Sequence, residues 1–217
     1  MEHVLPKPLL ILGARNFALE VADLVSEVPE FELKGFVENN DLSRCNERLE
    51  GLPVHWVDDL GSLAADHWAV CAFGSTTRRG FIEQAVGQGM RFATIVHPAA
   101  RLSGKSVVGP GTVIWPGAMI SAYSVLGQHV LVNRGALIGH QTELGDCITV
   151  GPGANIAGKC TIGSGSYIGM GAVVVEYIRI GKGAVVAAGS VVTKDVPDNV
   201  MVAGMPAVIV KQGVDGL

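Results

Sequence analysis

The chain has 217 residues, of which 48% are apolar and 17% charged, with a formal net charge of −4 at pH 7. Without a basic run it offers no electrostatic footprint for a nucleic-acid backbone or an anionic membrane surface. No stretch approaches the roughly 18 consecutive apolar residues that span a bilayer, so neither kind of partner is expected. The opening segment MEHVLPKPLLILG lacks the pattern of a signal peptide, and the expected compartment is the cytoplasm. Cys45, Cys71, Cys147 and Cys160 show neither C-x-x-C nor zinc-like spacing; they read as reduced packing residues, and no metal site is expected.

From Pro8 to about Thr94 short apolar runs alternate with helix-like stretches, the pattern of βαβ units. Strands are expected over Pro8–Gly13, Phe31–Val37, Leu52–Val57 and His67–Phe73. An amphipathic helix is expected over Phe17–Val28, before Pro29, and another over Thr76–Gly89, with Ser75 and Thr76 as capping residues. Residues 1–94 therefore read as a small parallel α/β domain.

After Thr94 the period becomes six. Every sixth residue from Val96 to Val192 is aliphatic, through Leu102, Val108, Ile114 and onward; with about half of positions apolar, such a run arises by chance on the order of once in 10⁵. Two residues before each of these the side chain is mostly small, as at Ala118, Ser124, Ala136 and Ala154. A solenoid satisfies both constraints: each branched side chain points into a narrow interior and small residues fit the bends. Three sides give an 18-residue coil, so residues 18 apart should stack at the strand spacing of about 4.8 Å. Residues 95–197 form this β-helix, and 198–217 are left as a C-terminal tail.

Several stretches, LGARNFALEVADL, GFVENN, IVHPAARLSG, VNRGALIGH, VGPGANIAGKCTIG and AAGSVVTKDVPDNVMVAGMPA, give the chain a resemblance to the hexapeptide-repeat acyltransferases. It is most similar to the group of sialic acid O-acetyltransferases and bacillosamine or perosamine N-acetyltransferases. The resemblance implies a Rossmann-like α/β domain followed by a left-handed parallel β-helix, although general rules for parallel crossovers favour the right hand. It also implies a cytoplasmic homotrimer that moves an acetyl group from acetyl-CoA to a hydroxyl or amine of a sugar or nucleotide-sugar in cell-surface glycan biosynthesis.

Acetyl transfer from a thioester needs a base for the incoming nucleophile and a donor for the developing oxyanion. His140 follows the inward Ile138 by two residues and should face outward, open to a substrate. In the motif Asn133-Arg134-Gly135-Ala136-Leu137-Ile138-Gly139-His140 it matches the family's catalytic base; otherwise it is a surface or interface histidine. The next residue is Gln141, where the family usually has Asp or Glu. A neutral amide can fix the ring's tautomer but cannot offset its positive charge, which leaves Glu143 or Asp146 as possible carboxylates. Thr149 stands where the nucleotide-sugar enzymes tend to carry a second histidine.

Gly158 lies one coil after His140, and the resemblance assigns its N–H to the acetyl-CoA carbonyl; the alternative is a corner glycine. The resemblance places Gly171, Ala188 and Gly189 along the pantetheine arm and Ala203–Ala207 near the CoA nucleotide. Asn133 would contact substrate or, alternatively, serve in an asparagine ladder. In the first domain it implies substrate contacts from Gly13, Arg15, Glu38 and Arg79, although Gly13-Ala14-Arg15-Asn16 keeps only one glycine of a phosphate-cradling loop. His97-Pro98 marks the domain junction. Two other classes stay open: a non-catalytic sugar-binding or assembly module, and a carbonic-anhydrase-like metal enzyme, against which His129 and His140 lack a third repeat histidine.

Overall fold

The computed structural model describes residues 5–217; residues 1–4, on which the signal-peptide reading partly rests, lie outside the described residues. The two periods of the sequence correspond to two compact units. One takes the chain up to Gly74 together with Arg78–His97, the other Pro98–Leu217 together with Ser75–Thr77.

The first unit comprises β1 (Lys7–Leu12), α1 (Asn16–Ser26), β2 (Phe31–Glu38), β3 (Arg48–Leu49), β4 (Leu52–Trp56), β5 (Trp68–Cys71), α2 (Arg79–Gly87) and β6 (Arg91–Phe92). Its sheet has the order β3-β4-β2-β1-β5-β6. Leu9, Leu10, Ile11 and Leu12 are all 0% exposed, as expected of a central strand covered on both faces. Helix α1 buries Ala18, Val21, Leu24 and Val25, one stripe of an amphipathic helix.

Three local expectations are corrected. The sheet is parallel except for the β3–β4 hairpin, whose turn is made by Glu50 and Gly51 at φ 50° and 74°. Helix α1 stops at Ser26, before Val28, which Pro29 disfavours from helical geometry. Helix α2 starts at Arg79 after a short 3₁₀ turn over Thr76–Arg78, and no side chain caps it. The Ser75 and Thr76 hydroxyls donate instead to the Leu217 carbonyl, which also accepts the Thr76 N–H at 2.8 Å.

In the second unit the 18-residue coil is realised strand by strand: Val113 pairs with Leu131, Met119 with Leu137 and Val125 with Glu143, all in parallel. Three faces result. The first carries Val113–Ile114, Leu131–Val132, Thr149–Val150, Tyr167–Ile168 and Val185–Val186. The second carries Arg101–Leu102, Met119–Ile120, Leu137–Ile138, Asn155–Ile156, Val173–Val174 and Val191–Val192. The third carries Val107–Val108, Val125–Leu126, Glu143–Leu144, Thr161–Ile162 and Arg179–Ile180.

From Ile114 to Val192 every sixth residue is at most 3% exposed, so the aliphatic register is the core. Leu102, in the first coil, has no earlier coil to stack on and is 37% exposed. The small residues at the bends are buried as well, and several tie one coil to the next. Thr112, Ser124, Thr142 and Ser166 each donate a hydroxyl to the carbonyl 15 residues later, at 2.7–3.0 Å.

From Gly111 to Gly189 each corner holds one residue in the left-handed region. Before the second face these are Gly117, Gly135, Gly153, Gly171 and Gly189 at φ 64–72°. After it they are Tyr123, Gln141, Lys159 and Tyr177 at φ 56–65°. Residues 198–217 are built into the unit rather than trailing from it. Val200–Gly204 runs parallel to Val185–Val186, and Ala207–Gln212 returns antiparallel.

Candidate active site

His140 emerges at the corner that follows the second-face strand Leu137–Ile138 and is exposed. Its ring lies over Gly158 one coil on: a methyl group built on Gly158 would stand 2.8 Å from Nε2 and 2.9 Å from Cε1. Glycine is thus what lets the imidazole settle against the next coil. The neighbouring residue holds the ring from the side, with His140 Nδ1 3.1 Å from Gln141 Oε1. An amide oxygen only accepts, so in this pair Nδ1 carries the proton and Nε2 presents a lone pair. The left-handed backbone of Gln141, at φ 56°, turns its side chain back towards the histidine.

Gly158 is buried and anchored on both sides. The Lys159 N–H donates to His140 O at 2.8 Å, and the Tyr177 N–H donates to Gly158 O at 3.2 Å. On another corner the equivalent N–H groups are taken up by side chains, Gln128 by Asp146 Oδ1 at 2.8 Å and Asp146 by Ser164 Oγ at 3.0 Å. Among the described residues no group accepts the Gly158 N–H. A lone-pair nitrogen and an open amide donor therefore share one corner, the pair of groups an acyl transfer needs. Asp146 is engaged on its own corner, and no described hydrogen bond or ion pair joins it or Glu143 to His140.

Gly171, Ala188 and Gly189 are exposed, and a methyl on Gly171 or Gly189 would meet nothing within 4 Å. They line the corner before the second face, whereas His140 and Gly158 line the corner after it. The outward side of that face is the floor between the two corners. Asn133 is 8% exposed, with its Nδ2 donating to Val150 O at 3.0 Å in the next coil. Thr149 is buried within the first face, and Ala203–Ala207 form the tip of the final hairpin. Cys160, two residues after Gly158, donates its thiol to Val175 O at 3.2 Å, and burial pushes that thiol above its ordinary pKa. His129 is 7% exposed, its ring packed on Gly111 of the preceding coil.

In the first unit the candidate residues gather where β2 and β5 flank β1, the point at which strand order reverses and open α/β sheets bind ligands. Gly13 sits there at φ 121°, its N–H donating to Val37 O at 2.8 Å. A Cβ on it would lie 3.2 Å from Ala72 O and 3.3 Å from the Phe73 ring, so both conformation and space require glycine. Glu38 is 3% exposed; its Oε1 accepts the Asn39 and Asn40 N–H groups at 3.0 and 2.9 Å. Its Oε2 is 3.8 Å from Arg44 Nε, while Arg44 Nη2 donates to Ala14 O at 2.7 Å. Arg15 and Arg79 are exposed, but Arg78 is 1% exposed.

Arg44 and Arg78 are the charged groups that sequence reasoning missed. Nothing in the Asp41–Asn46 stretch marks an arginine that bridges two loops, and adjacent arginines at a helix start cannot be told apart by pattern. His97 lies at the unit boundary, as its motif suggested, with Nε2 3.2 Å from Glu27 Oε2. Among the described residues no group of three or more His, Cys, Asp or Glu is placed to hold a metal ion. Nor, among them, is any helix long and apolar enough to cross a membrane.

A family model described as bacterial transferase hexapeptide (six repeats) matches residues 159–194. Among solved structures, the acetyltransferase domain of PglB from Neisseria gonorrhoeae FA1090, in complex with acetyl coenzyme A, is 30% identical. It covers 94% of this chain and 100% of that one, with a TM-score of 0.86. PerB from Caulobacter crescentus, in complex with CoA and GDP-perosamine, is 28% identical over 93% of this chain and 96% of that one, with a TM-score of 0.85. WeeI from Acinetobacter baumannii AYE is 27% identical over 94% of this chain and 100% of that one, also with a TM-score of 0.85. No curated protein sequence matches.

Proposed function

The chain belongs to the left-handed β-helix, hexapeptide-repeat acyltransferases, and from that premise we propose that it acetylates a sugar or nucleotide-sugar with acetyl-CoA. The observation that carries the proposal is the His140–Gly158 pair: an imidazole fixed by Gln141, stacked over a glycine whose N–H is open. Nε2 takes the proton of the acceptor's amine or hydroxyl as that atom attacks the thioester carbon. The carbonyl oxygen, turning negative, is held by the Gly158 N–H. The tetrahedral intermediate then collapses, the C–S bond breaks, and the imidazolium returns its proton to the departing thiolate. No step calls for a metal.

The pantetheine arm would run past Gly171, Ala188 and Gly189 on the opposite corner, where a glycine column leaves room for a ligand. In the first unit, Gly13, Arg15, Glu38 and Arg79 would receive the nucleotide part of an acceptor, supported by the sheet's switch point and by the GDP-perosamine bound to PerB. Arg44 would set the shape of the loop after β1. Asn133 would reach a substrate through its Oδ1 or the second N–H of its Nδ2, one N–H being committed to Val150 O. A homotrimer is part of the proposal, because Met119, Leu137 and Val173 expose an apolar row along the second face, 38–41% exposed. A cytoplasmic role in cell-surface glycan synthesis follows from the same reading.

Thiol release from acetyl-CoA, measured with a panel of amino sugars, nucleotide-sugars and sialic acid for wild type and His140→Ala, tests the proposal. Release by wild type with at least one acceptor, reduced about 10²–10⁴-fold in the variant, is expected. Equal rates remove His140 from the mechanism, and no release with any acceptor removes the activity.

A further inference from the structure

The Gly158 N–H is one end of a peptide group whose other end is held from inside the prism. Thr142, two residues after His140, is 0% exposed. Its Oγ1 donates to the Ala157 carbonyl at 3.0 Å and accepts the Cys160 N–H at 3.4 Å. That carbonyl and the Gly158 N–H share one planar unit. A second restraint acts across the coils: a methyl on Gly139 would stand 2.4 Å from both Ala157 C and Gly158 N, so the bare Gly139 backbone lies directly against this peptide. On either side of it the Ala157 N–H donates to Val174 O at 2.9 Å and the Lys159 N–H to His140 O at 2.8 Å. Together these contacts fix the plane, and with it the direction of the Gly158 N–H.

The same bond on another corner separates its structural part from its chemical part. Thr112, also 0% exposed, donates to Gly127 O at 3.0 Å and accepts the Val130 N–H at 3.1 Å. There the N–H at the far end of the peptide, that of Gln128, is consumed by Asp146 Oδ1 at 2.8 Å. At Thr142 the far end is left open at the foot of the His140 ring. One coil beyond, the equivalent place is filled by Cys160, whose thiol, a weaker donor than a hydroxyl, reaches Val175 O at 3.2 Å. A hydroxyl bonded to a peptide carbonyl draws electron density towards that oxygen and strengthens the N–H at the other end, because hydrogen bonds in series polarise one another.

Building on the acetyl-transfer reading, we propose that Thr142 is a positioning residue for the reaction: through the Ala157–Gly158 peptide it aims the Gly158 N–H at the thioester oxygen and strengthens it as a hydrogen-bond donor. Being buried, Thr142 touches neither substrate. Its effect grows as the oxygen turns negative, so it belongs in kcat rather than in ground-state binding.

Thr142→Val keeps the side chain's shape and removes the hydroxyl, and Thr112→Val does the same to the matched bond on the other corner. In thiol-release kinetics Thr142→Val should lose on the order of tenfold in kcat, well short of the 10²–10³ that follows outright loss of an oxyanion donor. Its KM for acetyl-CoA should stay within about twofold. Thr142→Ser should restore most of the rate. Thr142→Cys, which sets at this level the thiol that the next coil already accommodates, should show the same change at reduced size. Thr112→Val should share the fall in unfolding midpoint and keep kcat. Infrared difference spectra of bound acetyl-CoA, labelled at the thioester carbonyl carbon and without acceptor, read the hydrogen bond directly. The carbonyl band should lie below that of free acetyl-CoA in wild type and Thr112→Val, and move back towards it in Thr142→Val. An unmoved band or unchanged kcat in Thr142→Val, or an equal loss of kcat in Thr112→Val, overturns the proposal and leaves acetyl transfer standing. A wild-type band at the free position removes the Gly158 donor, and the role of Thr142 with it. If no acceptor releases thiol, acetyl transfer fails and the band decides alone: dependence on Thr142 supports the positioning role, indifference overturns it.

Discussion

Replacing Gly158 by alanine separates the fold from the chemistry. The new methyl would lie 2.8 Å from His140 Nε2, 2.9 Å from Cε1 and 3.1 Å from Cδ2, whereas carbon contacts settle near 3.5–4.0 Å. The ring must therefore retreat by about 0.7–1 Å. Such a shift stretches the 3.1 Å bond between Nδ1 and Gln141 Oε1 and carries Nε2 away from the acceptor. Misplacing a catalytic group by about 1 Å costs on the order of 10²-fold in rate, equivalent to about 2.7 kcal/mol of transition-state stabilisation. Stability should hardly change, because the displaced group is the exposed end of a side chain and the Gly158 backbone is not in the left-handed region. Thiol-release kinetics and thermal unfolding of the same preparation give the readout: kcat down about 10²-fold with the unfolding midpoint nearly unmoved. A Gly158→Ala enzyme with wild-type kcat would refute the claim that the ring's seat on this glycine positions the base.

Other substitutions probe the remaining links. Gln141→Glu places a carboxylate against the ring and favours the imidazolium, so the acid limb of the pH–rate profile should move to higher pH; Gln141→Leu should lower kcat without that displacement. Gly163→Ala sets a methyl 2.5 Å from Lys182 N and 2.7 Å from Gly181 C, both backbone atoms, whereas Gly153→Ala meets nothing within 4 Å. The first should therefore unfold many degrees lower, while the second should lose only the 1–2 kcal/mol or so of a left-handed non-glycine. His55 is half-buried, and desolvation holds its pKa below 6.5. The unfolded chain binds its proton first as pH falls, so this contribution is present above pH 6.5 and lost below it. The unfolding midpoint should drop on acidification through that window, less steeply in His55→Gln. Cys160, its thiol held neutral by burial, should resist alkylation near pH 8 until the protein is unfolded, as followed by mass spectrometry.

The β-helix was legible because its constraint is periodic. One residue in six must enter the prism, and the positions from Ile114 to Val192 do so without exception. The stacking of His140 on Gly158 followed from the same arithmetic, whereas the place of Gln141 beside the ring came from the resemblance to the family motif. What stayed hidden depends on partners far away in sequence. Ser75 and Thr76 carry a local capping pattern, but the Leu217 carbonyl, more than 140 residues on, captures their hydroxyls. Leu102 obeys the register and is still exposed, because its strand is the first of its face and has no earlier coil to stack on. Asn133 sits in the family motif, yet a backbone carbonyl 17 residues away takes its amide.

A crystal structure of the protein with acetyl-CoA bound is the decisive test of the His140–Gly158 pair. The thioester carbonyl oxygen should lie within about 2.7–3.2 Å of the Gly158 nitrogen, with His140 Nε2 facing the carbonyl carbon across the space left for the acceptor. A thioester bound on another corner or face, with the Gly158 N–H pointing at nothing, would contradict it.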